Sequence, residues 1–195
     1  MRTKGIVSTA LAVVIAVGMV ACAPTSDAKI VTPGAPGGGE ATAAPAIPQV
    51  TPADVEFAHA MLEHHKQGVE LAALALKSVT DVQVRAVAQR IVEAQTAEQK
   101  MLETWVSSLS PEQQSTHQHT MNGMLSTTDM ANYATLSGVA ARSEFLRLMI
   151  QHHQGAIDMA DARLKVTGSG TITQLARSIA IEQSAEIDRM KDLQK

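Results

Sequence analysis

Apolar residues recur at every third or fourth position along four stretches of the chain, which is the spacing of one face of an α-helix. The first stretch begins near Pro52 and ends near residue 79. Thr51 precedes it and can cap the helix, because a threonine hydroxyl accepts a hydrogen bond from an amide of the first turn. The second stretch covers about residues 84–105 and stops before Ser110. We therefore predict a helical hairpin between residues 52 and 109.

The second half of the chain repeats the first at an offset of 88 residues, without a gap. The repeat relates Glu56-Phe57 to Glu144-Phe145, Met61 to Met149, His64-His65 to His152-His153, Gln95 to Gln183, and Glu98 to Glu186. A repeat of this length indicates a duplicated helical hairpin, with Gly168 and Gly170 marking the second turn. Two hairpins joined by one long crossover predict an all-α four-helix bundle.

The crossover, residues 109–137, breaks the helical pattern except between Thr127 and Thr135, where a short helix is predicted. It carries the imidazole and thioether side chains of His117, His119, Met121, Met124 and Met130, and the first four of these are close together in the sequence. These four could form a soft-metal loop or lid, and they could equally belong to a solvated loop. They are therefore secondary metal candidates.

The N-terminal residues 1–21 combine a basic start with an apolar run shorter than the ~20 apolar residues that usually cross a membrane. The run ends in Met19-Val20-Ala21-Cys22, which resembles the lipobox of bacterial lipoproteins. On that resemblance Cys22 carries a lipid anchor; a plain secretory signal or an uncleaved anchor are the alternatives. Residues 22–51 are rich in Pro, Gly, Ala and Thr, and they indicate a disordered tether to a bundle domain at 52–195.

Composition limits the partners. The formal net charge is only −3 and no block of basic residues occurs, which argues against nucleic acid. The chain has one Trp and one Tyr against ten Met and seven His, so aliphatic and methionine side chains must fill the core. No Gly-rich phosphate loop, nucleophile elbow or zinc-binding cysteine set is present, and we predict no catalytic residues.

Polar side chains interrupt the apolar face of every predicted helix in the bundle. They are His64 and Glu98 in the first hairpin and His152 and Glu186 in the second. His64 lies 16 residues before Thr80 in the first turn and Glu98 lies 18 residues after it. In an antiparallel hairpin their heights differ by only ~3 Å. We therefore expect each hairpin to bring a His, a Glu and a Gln (Gln95 or Gln183) to one level.

A carboxylate in a bundle core requires a partner, a proton or a metal. Met61 and Met149 lie one turn from the histidines of their repeats. Thioether and imidazole donors together favour copper, Cu(I) above all, because methionine is a soft ligand. His65 and His153 lie ~100° round the helix from the preceding His, so both members of a pair need not bind one ion. The alternative is a set of hydrogen-bonded core histidines, with the methionines as apolar filler.

The motifs Glu-Phe, Met-x-x-His-His and Gln-x-x-Glu, with Met-x-Gly-Met at residues 121–124, resemble the bacterial domain-of-unknown-function family number 305 over about residues 52–194. The resemblance implies a ferritin-like four-helix bundle, secreted or envelope-anchored, with some members associated with copper binding and copper tolerance. It implies metal ligation by Met61, His64, His65, Met149, His152 and His153, with Glu98 and Glu186 as further candidates.

We therefore predict an envelope-anchored protein that binds copper for buffering, tolerance or delivery, with envelope copper-handling proteins as partners. Two other functions stay open. A ferritin-like two-metal oxidase is disfavoured, because Met61-x-x-His64 stands where such enzymes carry Glu-x-x-His. A non-metal interaction module would use its buried histidines as pH-sensitive contacts.

Overall fold

The computed structural model describes residues 49–114 and 121–195, which form helices and no strand. The helices are α1 (Pro52–Ser78), α2 (Val82–Ser107), α3 (Thr127–Ala134), α4 (Gly138–Leu164) and α5 (Gly170–Leu193). The predicted all-helical fold is confirmed, including the short helix in the crossover. The predicted leader 1–21 with Cys22, and nearly all of the predicted tether 22–51, lie outside the described residues. None of the described helices is both long and apolar enough to cross a membrane.

The four long helices pack as two hairpins placed side by side. α1 packs along α2 and α4 packs along α5, while α1 and α4 form the main contact between the hairpins. α2 and α5 touch each other only briefly. Asp54 at the start of α1 binds Arg163 at the end of α4, so these two helices run antiparallel. The interface between the repeats is therefore formed mainly by α1 and α4.

The starts of α1 and α2 follow from their capping residues. The Thr51 hydroxyl accepts a hydrogen bond from the Asp54 amide at 3.3 Å, and the Asp54 carboxylate accepts one from the Thr51 amide at 2.7 Å. This reciprocal pair satisfies two amides that the helix leaves free. Asp81 caps α2 by accepting from the amides of Gln83 and Val84 at 2.9 and 3.1 Å. The predicted helix start at Thr51 is confirmed.

A buried ion pair connects the start of α1 to the end of α4. Asp54 and Arg163 are both buried, and Arg163 Nε donates to Asp54 Oδ1 at 2.9 Å. The Ser169 amide, in the turn before α5, donates to Asp54 Oδ2 at 3.0 Å. Burial by itself would raise the pKa of Asp54, but hydrogen bonds from Ser169, Thr51 and Arg163 hold that pKa below its ordinary value.

The end of the crossover bridges α1 and α4. The Gln67 side chain of α1 donates to the Leu125 carbonyl at 2.9 Å and accepts from the Leu125 amide at 2.7 Å. On α4, a Cβ atom at Gly155 would lie only 2.1 Å from the Asn122 carbonyl oxygen and 2.4 Å from the Gly123 Cα. Gly123 itself has φ = 77°, a conformation that favours glycine. Glycines therefore permit the close approach of the crossover to α4.

The apolar core consists of two clusters, with the histidines between them along α1 and α4. One cluster contains Leu71, Ile91, Tyr133, Phe145, Leu148 and Met149 among others. The other contains Phe57, Met61, Leu102, Met159, Ile172 and Ile179 among others. His64 and His65 lie between the α1 residues of the two clusters, and His152 and His153 lie between those of α4. The fold therefore contains a polar layer across the middle of its core.

Candidate metal centre

His64 of α1 and His152 of α4 face each other at the interface between the hairpins. Both side chains are fully buried, and their ring centroids are 3.7 Å apart with the ring planes tilted by 34°. None of their four ring nitrogens has a hydrogen-bond partner among the described residues. Each repeat thus contributes one imidazole to a single buried pair.

Burial keeps these imidazoles neutral. Desolvation, with the nearby His65 and His153, lowers the pKa of His64 to about 3, and the neighbouring Asn122 backbone opposes this shift. Desolvation and the adjacent histidines also place the pKa of His152 well below its ordinary value. An unpartnered buried polar group costs about 1–3 kcal/mol. A neutral imidazole with a free lone pair is also the form that binds a metal.

The second histidine of each pair bonds a carboxylate of its own hairpin. His65 Nε2 lies 2.7 Å from Glu98 Oε2, and His153 Nε2 lies 2.8 Å from Glu186 Oε2. Both rings are fully buried, while the glutamate side chains are 13% and 20% exposed. These hydrogen bonds fix the orientation of both rings.

This pairing corrects part of the sequence-based expectation. The number of residues from the turn predicted that Glu98 and Glu186 lie level with His64 and His152. The predicted position along the helix axis is right to within one residue. The carboxylates nevertheless bond to His65 and His153. The reason is that successive residues point ~100° apart on a helix. The first histidine of each pair faces the opposite hairpin and the second faces the helix of its own hairpin.

Two amide side chains complete the polar layer. Gln95 and Gln183 are buried, and neither the nitrogen nor the oxygen of either amide has a partner within the described part of the chain. A Cβ atom on Gly68 would meet Gln95 Oε1 at 2.3 Å and His152 Cε1 at 2.9 Å. Gln95 of the first hairpin therefore approaches His152 of the second. Sequence reasoning missed the role of Gly68, although a glycine on the apolar face, where the repeat has Ala156, was a usable signal.

The methionines of the repeated motif are fully buried on opposite sides of the histidines. Met61 belongs to the cluster around Phe57, and Met149 belongs to the cluster around Phe145. Each methionine lies three residues, about one helical turn, before the first histidine of its own repeat. Such burial is expected of a methionine that only fills the apolar core, and it is equally expected of a methionine that binds a soft metal ion.

The crossover candidates divide into two groups. His117 and His119 lie outside the described residues. Met121 and Met124 are half-buried and flank the segment that packs on α4. Met121 also packs against the cluster that contains Met61. The described methionines of the crossover are thus placed near the bundle.

The donors in the polar layer are imidazoles and amides, with thioethers in the adjoining clusters. Within residues 49–114 and 121–195, no three His, Cys, Asp or Glu side chains are already arranged around one point as a metal site. A bound ion would therefore need thioether or amide donors, or a rotation of an imidazole ring. These requirements suit a soft ion of low coordination number better than a hard ion that needs many oxygens.

Comparison with known proteins identifies the family. The family model described as "Domain of unknown function (DUF305)" matches residues 54–194. A DUF305 protein of Streptomyces coelicolor, described as secreted, is 31% identical, with 72% of this chain and 89% of that chain covered and a TM-score of 0.68. A DUF305 fragment from Deinococcus radiodurans is 34% identical, with 75% and 98% covered and a TM-score of 0.64.

A third similar structure is CopM in its Cu(I)-bound form. It is 28% identical to this chain, with 72% of this chain and 94% of CopM covered and a TM-score of 0.61. CopM also has structures in Cu(II)-bound, Ag-bound and apo forms. No match was found among curated proteins. Because the family model matches most of the chain, and a 34% identical relative covers three quarters of it, the chain belongs to the DUF305 family.

Proposed function

We propose that this protein binds copper, preferentially as Cu(I), with donors from both hairpins. In this proposal copper is the cargo of the protein, which buffers, detoxifies or delivers it, and not a resident cofactor. The observation that carries the proposal is the buried pair of His64 and His152, whose ring nitrogens have no partner among the described residues. A soft cation offsets the free energy that these unpartnered nitrogens cost the fold.

The ligand assignment follows the layers of the site. In this assignment His64 and His152 provide the central imidazoles, and Met61 and Met149, buried in the two flanking clusters, provide the thioethers. His65 and His153 are further ligands, oriented by Glu98 and Glu186. A carboxylate that holds a ligating imidazole in this way raises its basicity. Gln95, Gln183 and the crossover residues His117, His119, Met121 and Met124 are secondary donors.

The likeness to CopM supports the choice of metal. CopM binds Cu(I), Cu(II) and Ag, and its fold resembles this chain over most of both proteins. The two chains share 28% identity. The comparison therefore supports a copper site in this bundle but does not identify its ligands.

We place the protein on the outer side of a membrane. A lipid on Cys22, followed by the tether 22–51, would hold the bundle 52–195 at the cell envelope, near other copper-handling proteins. Cys22→Ser should release the protein from the membrane fraction and abolish labelling by a fatty acid. Retained labelling would contradict the anchor without affecting the copper proposal.

The decisive test is copper stoichiometry under anaerobic, reducing conditions. His64→Ala combined with His152→Ala should abolish tight Cu(I) binding, measured by competition with a chromophoric chelator. His59→Ala combined with Arg147→Ala is a matched control, because these positions are also related by the repeat but lie outside the proposed site. Unchanged stoichiometry in the first double variant refutes the assignment.

The pH-sensitive interaction module receives less support. A histidine switch must gain its proton near neutral pH. The pKa of His64 in the folded protein is lowered to about 3, so acid acts on this ring by favouring the unfolded chain and not by charging the ring within the fold. The buried pair therefore suits a lone-pair donor better than a pH-sensitive contact.

A further inference from the structure

A cleft of about 280 Å³ opens between α1 and α4. Its α1 wall includes Glu56 and Ala60, and its α4 wall includes Asp158 and Met159. Asn122 of the crossover forms part of its lining. The cleft thus lies in the same interface as the His64 and His152 pair.

Both walls of the cleft lead toward that pair. Ala60 lies one helical turn before His64 on α1, and Met159 lies two turns after His152 on α4. Asn122 lines the cleft, its carbonyl packs against Gly155, and its backbone opposes the lowering of the His64 pKa. Asn122 is therefore next to both the cleft and the buried imidazoles.

The crossover blocks the opposite side of the histidines. There Gln67 bonds both backbone groups of Leu125, and Leu125 and Tyr133 are buried in the apolar core. If only the two like hairpins were present, the α1–α4 groove would look the same on both sides of the histidine pair. The crossover fills the groove on one of these sides. The α1–α4 groove is therefore open on the side of Glu56 and Asp158.

The cleft has the charge and the donors that suit a soft cation. Glu56 and Asp158 are exposed carboxylates, one on each helix at the mouth. Arg163 also lines the cleft, but its charge is neutralised by the buried Asp54. Met159 is buried in the wall and offers a thioether between the mouth and the histidines. Carboxylates at a cleft raise the local concentration and association rate of cations.

We propose that this cleft is the port through which a monovalent soft cation reaches His64 and His152, with Asn122 as the barrier it must pass. The inference rests on the proposed copper function and assigns the route into that site. Glu56 and Asp158 attract the ion, and Met159 receives it on the way. The two carboxylates act on the rate of loading and are not ligands of the final site.

The test separates the rate of uptake from equilibrium affinity. The apoprotein is mixed with Ag⁺, a redox-inert stand-in for Cu(I), and uptake is stopped at set times by excess chelator before the bound silver is measured. At low ionic strength, Glu56→Gln with Asp158→Asn should take up Ag⁺ roughly three- to tenfold more slowly than wild type. Stoichiometry and Kd should stay unchanged, and the difference in rate should shrink in high salt.

Two further variants make the route specific. Glu70→Gln with Asp161→Asn removes the same charge from exposed positions of α1 and α4 outside the cleft lining and should load like wild type. Ala162→Trp, on the exposed rim of the cleft, should slow uptake and release together by narrowing the mouth. Neither change touches the polar layer.

Each outcome has a definite meaning. Equal uptake rates for wild type and the cleft variants overturn the port. So does slow loading in Glu182→Gln, because Glu182 lies near Glu98 and Glu186, and that result would place the entrance between α2 and α5. A wild-type protein that binds neither Ag⁺ nor Cu(I) overturns the proposed function and the port with it.

Discussion

The imidazole rings of His64 and His152 lie against each other at the contact between α1 and α4, with their centroids 3.7 Å apart. The two residues are 88 positions apart and occupy the same place in the two repeats. Neither hairpin can form the pair alone. The candidate site therefore exists only where the two hairpins meet.

Replacing both rings by leucine should make the apoprotein more stable. His64→Leu with His152→Leu removes four buried nitrogens that have no partner in the described residues and substitutes apolar atoms of similar volume. We expect a higher melting temperature, together with loss of Cu(I) binding. Thermal unfolding of the metal-free proteins measures the first effect. A large drop in melting temperature would mean that the rings make stabilising contacts in the apo state.

Weakening the carboxylate that holds His65 should lower metal affinity more than stability. Glu98→Gln keeps the size of the side chain but replaces a charge-assisted hydrogen bond of 2.7 Å to a buried ring. Loss of such a partner typically lowers metal affinity about 10–100-fold. Chelator competition measures this, with the exposed Glu93→Gln of α2 as the control. Equal Kd values for the two variants would exclude His65 from the site.

Adding one methyl group at Gly68 should disturb the polar layer. The new Cβ would meet Gln95 Oε1 at 2.3 Å and His152 Cε1 at 2.9 Å, so both side chains must move. We expect Gly68→Ala to reduce copper affinity and to lower the free energy of unfolding by about 1–3 kcal/mol, as overpacking usually does. Gly170→Ala is the control, because the Cβ atom that it adds would have no other atom within 4 Å. Unaltered copper affinity in Gly68→Ala would show that this layer is not involved in binding.

The apoprotein should lose stability as the pH falls below about 6.5. Burial lowers the pKa of His64 to about 3 and also lowers that of His152, so between about pH 6.5 and 3 the unfolded chain binds more protons than the folded one. Each histidine then destabilises the fold by about 1.4 kcal/mol per pH unit. Denaturant unfolding at pH 7.5, 6.0 and 5.0 measures the slope. The double leucine variant should show a flatter profile, and identical profiles would contradict the assignment.

Breaking the buried ion pair should be strongly destabilising. Asp54→Asn leaves Arg163 buried without its counter-ion and weakens the bond to the Ser169 amide. Removing one partner of such a pair costs about 3–5 kcal/mol. Equilibrium unfolding measures the loss. The exposed Asp192→Asn, which disrupts the surface pair with Lys195, should change little. Similar stability of both variants would show that Arg163 can reach solvent.

Much of the architecture could be predicted because its determinants are local. The cap at Thr51, the period of apolar residues and the short helix after Ser126 each depend on neighbours within a few positions. The repeat then required two like hairpins, and it brought His64 and His152 to equivalent places. The conclusion that histidines, glutamates and glutamines share one level of the core also came from spacing alone.

The partners within that level were decided only by tertiary structure. Whether Glu98 bonds His64 or His65 depends on the rotation of α1 about its axis. That rotation is determined by the packing of the whole helix against α2 and α4. The same is true of the bond between Asp54 and Arg163, 109 residues apart, and of the crossover that closes one side of the groove at Gln67. Local sequence specifies the helices and their apolar faces. Contacts between residues distant in sequence arise only when those faces meet.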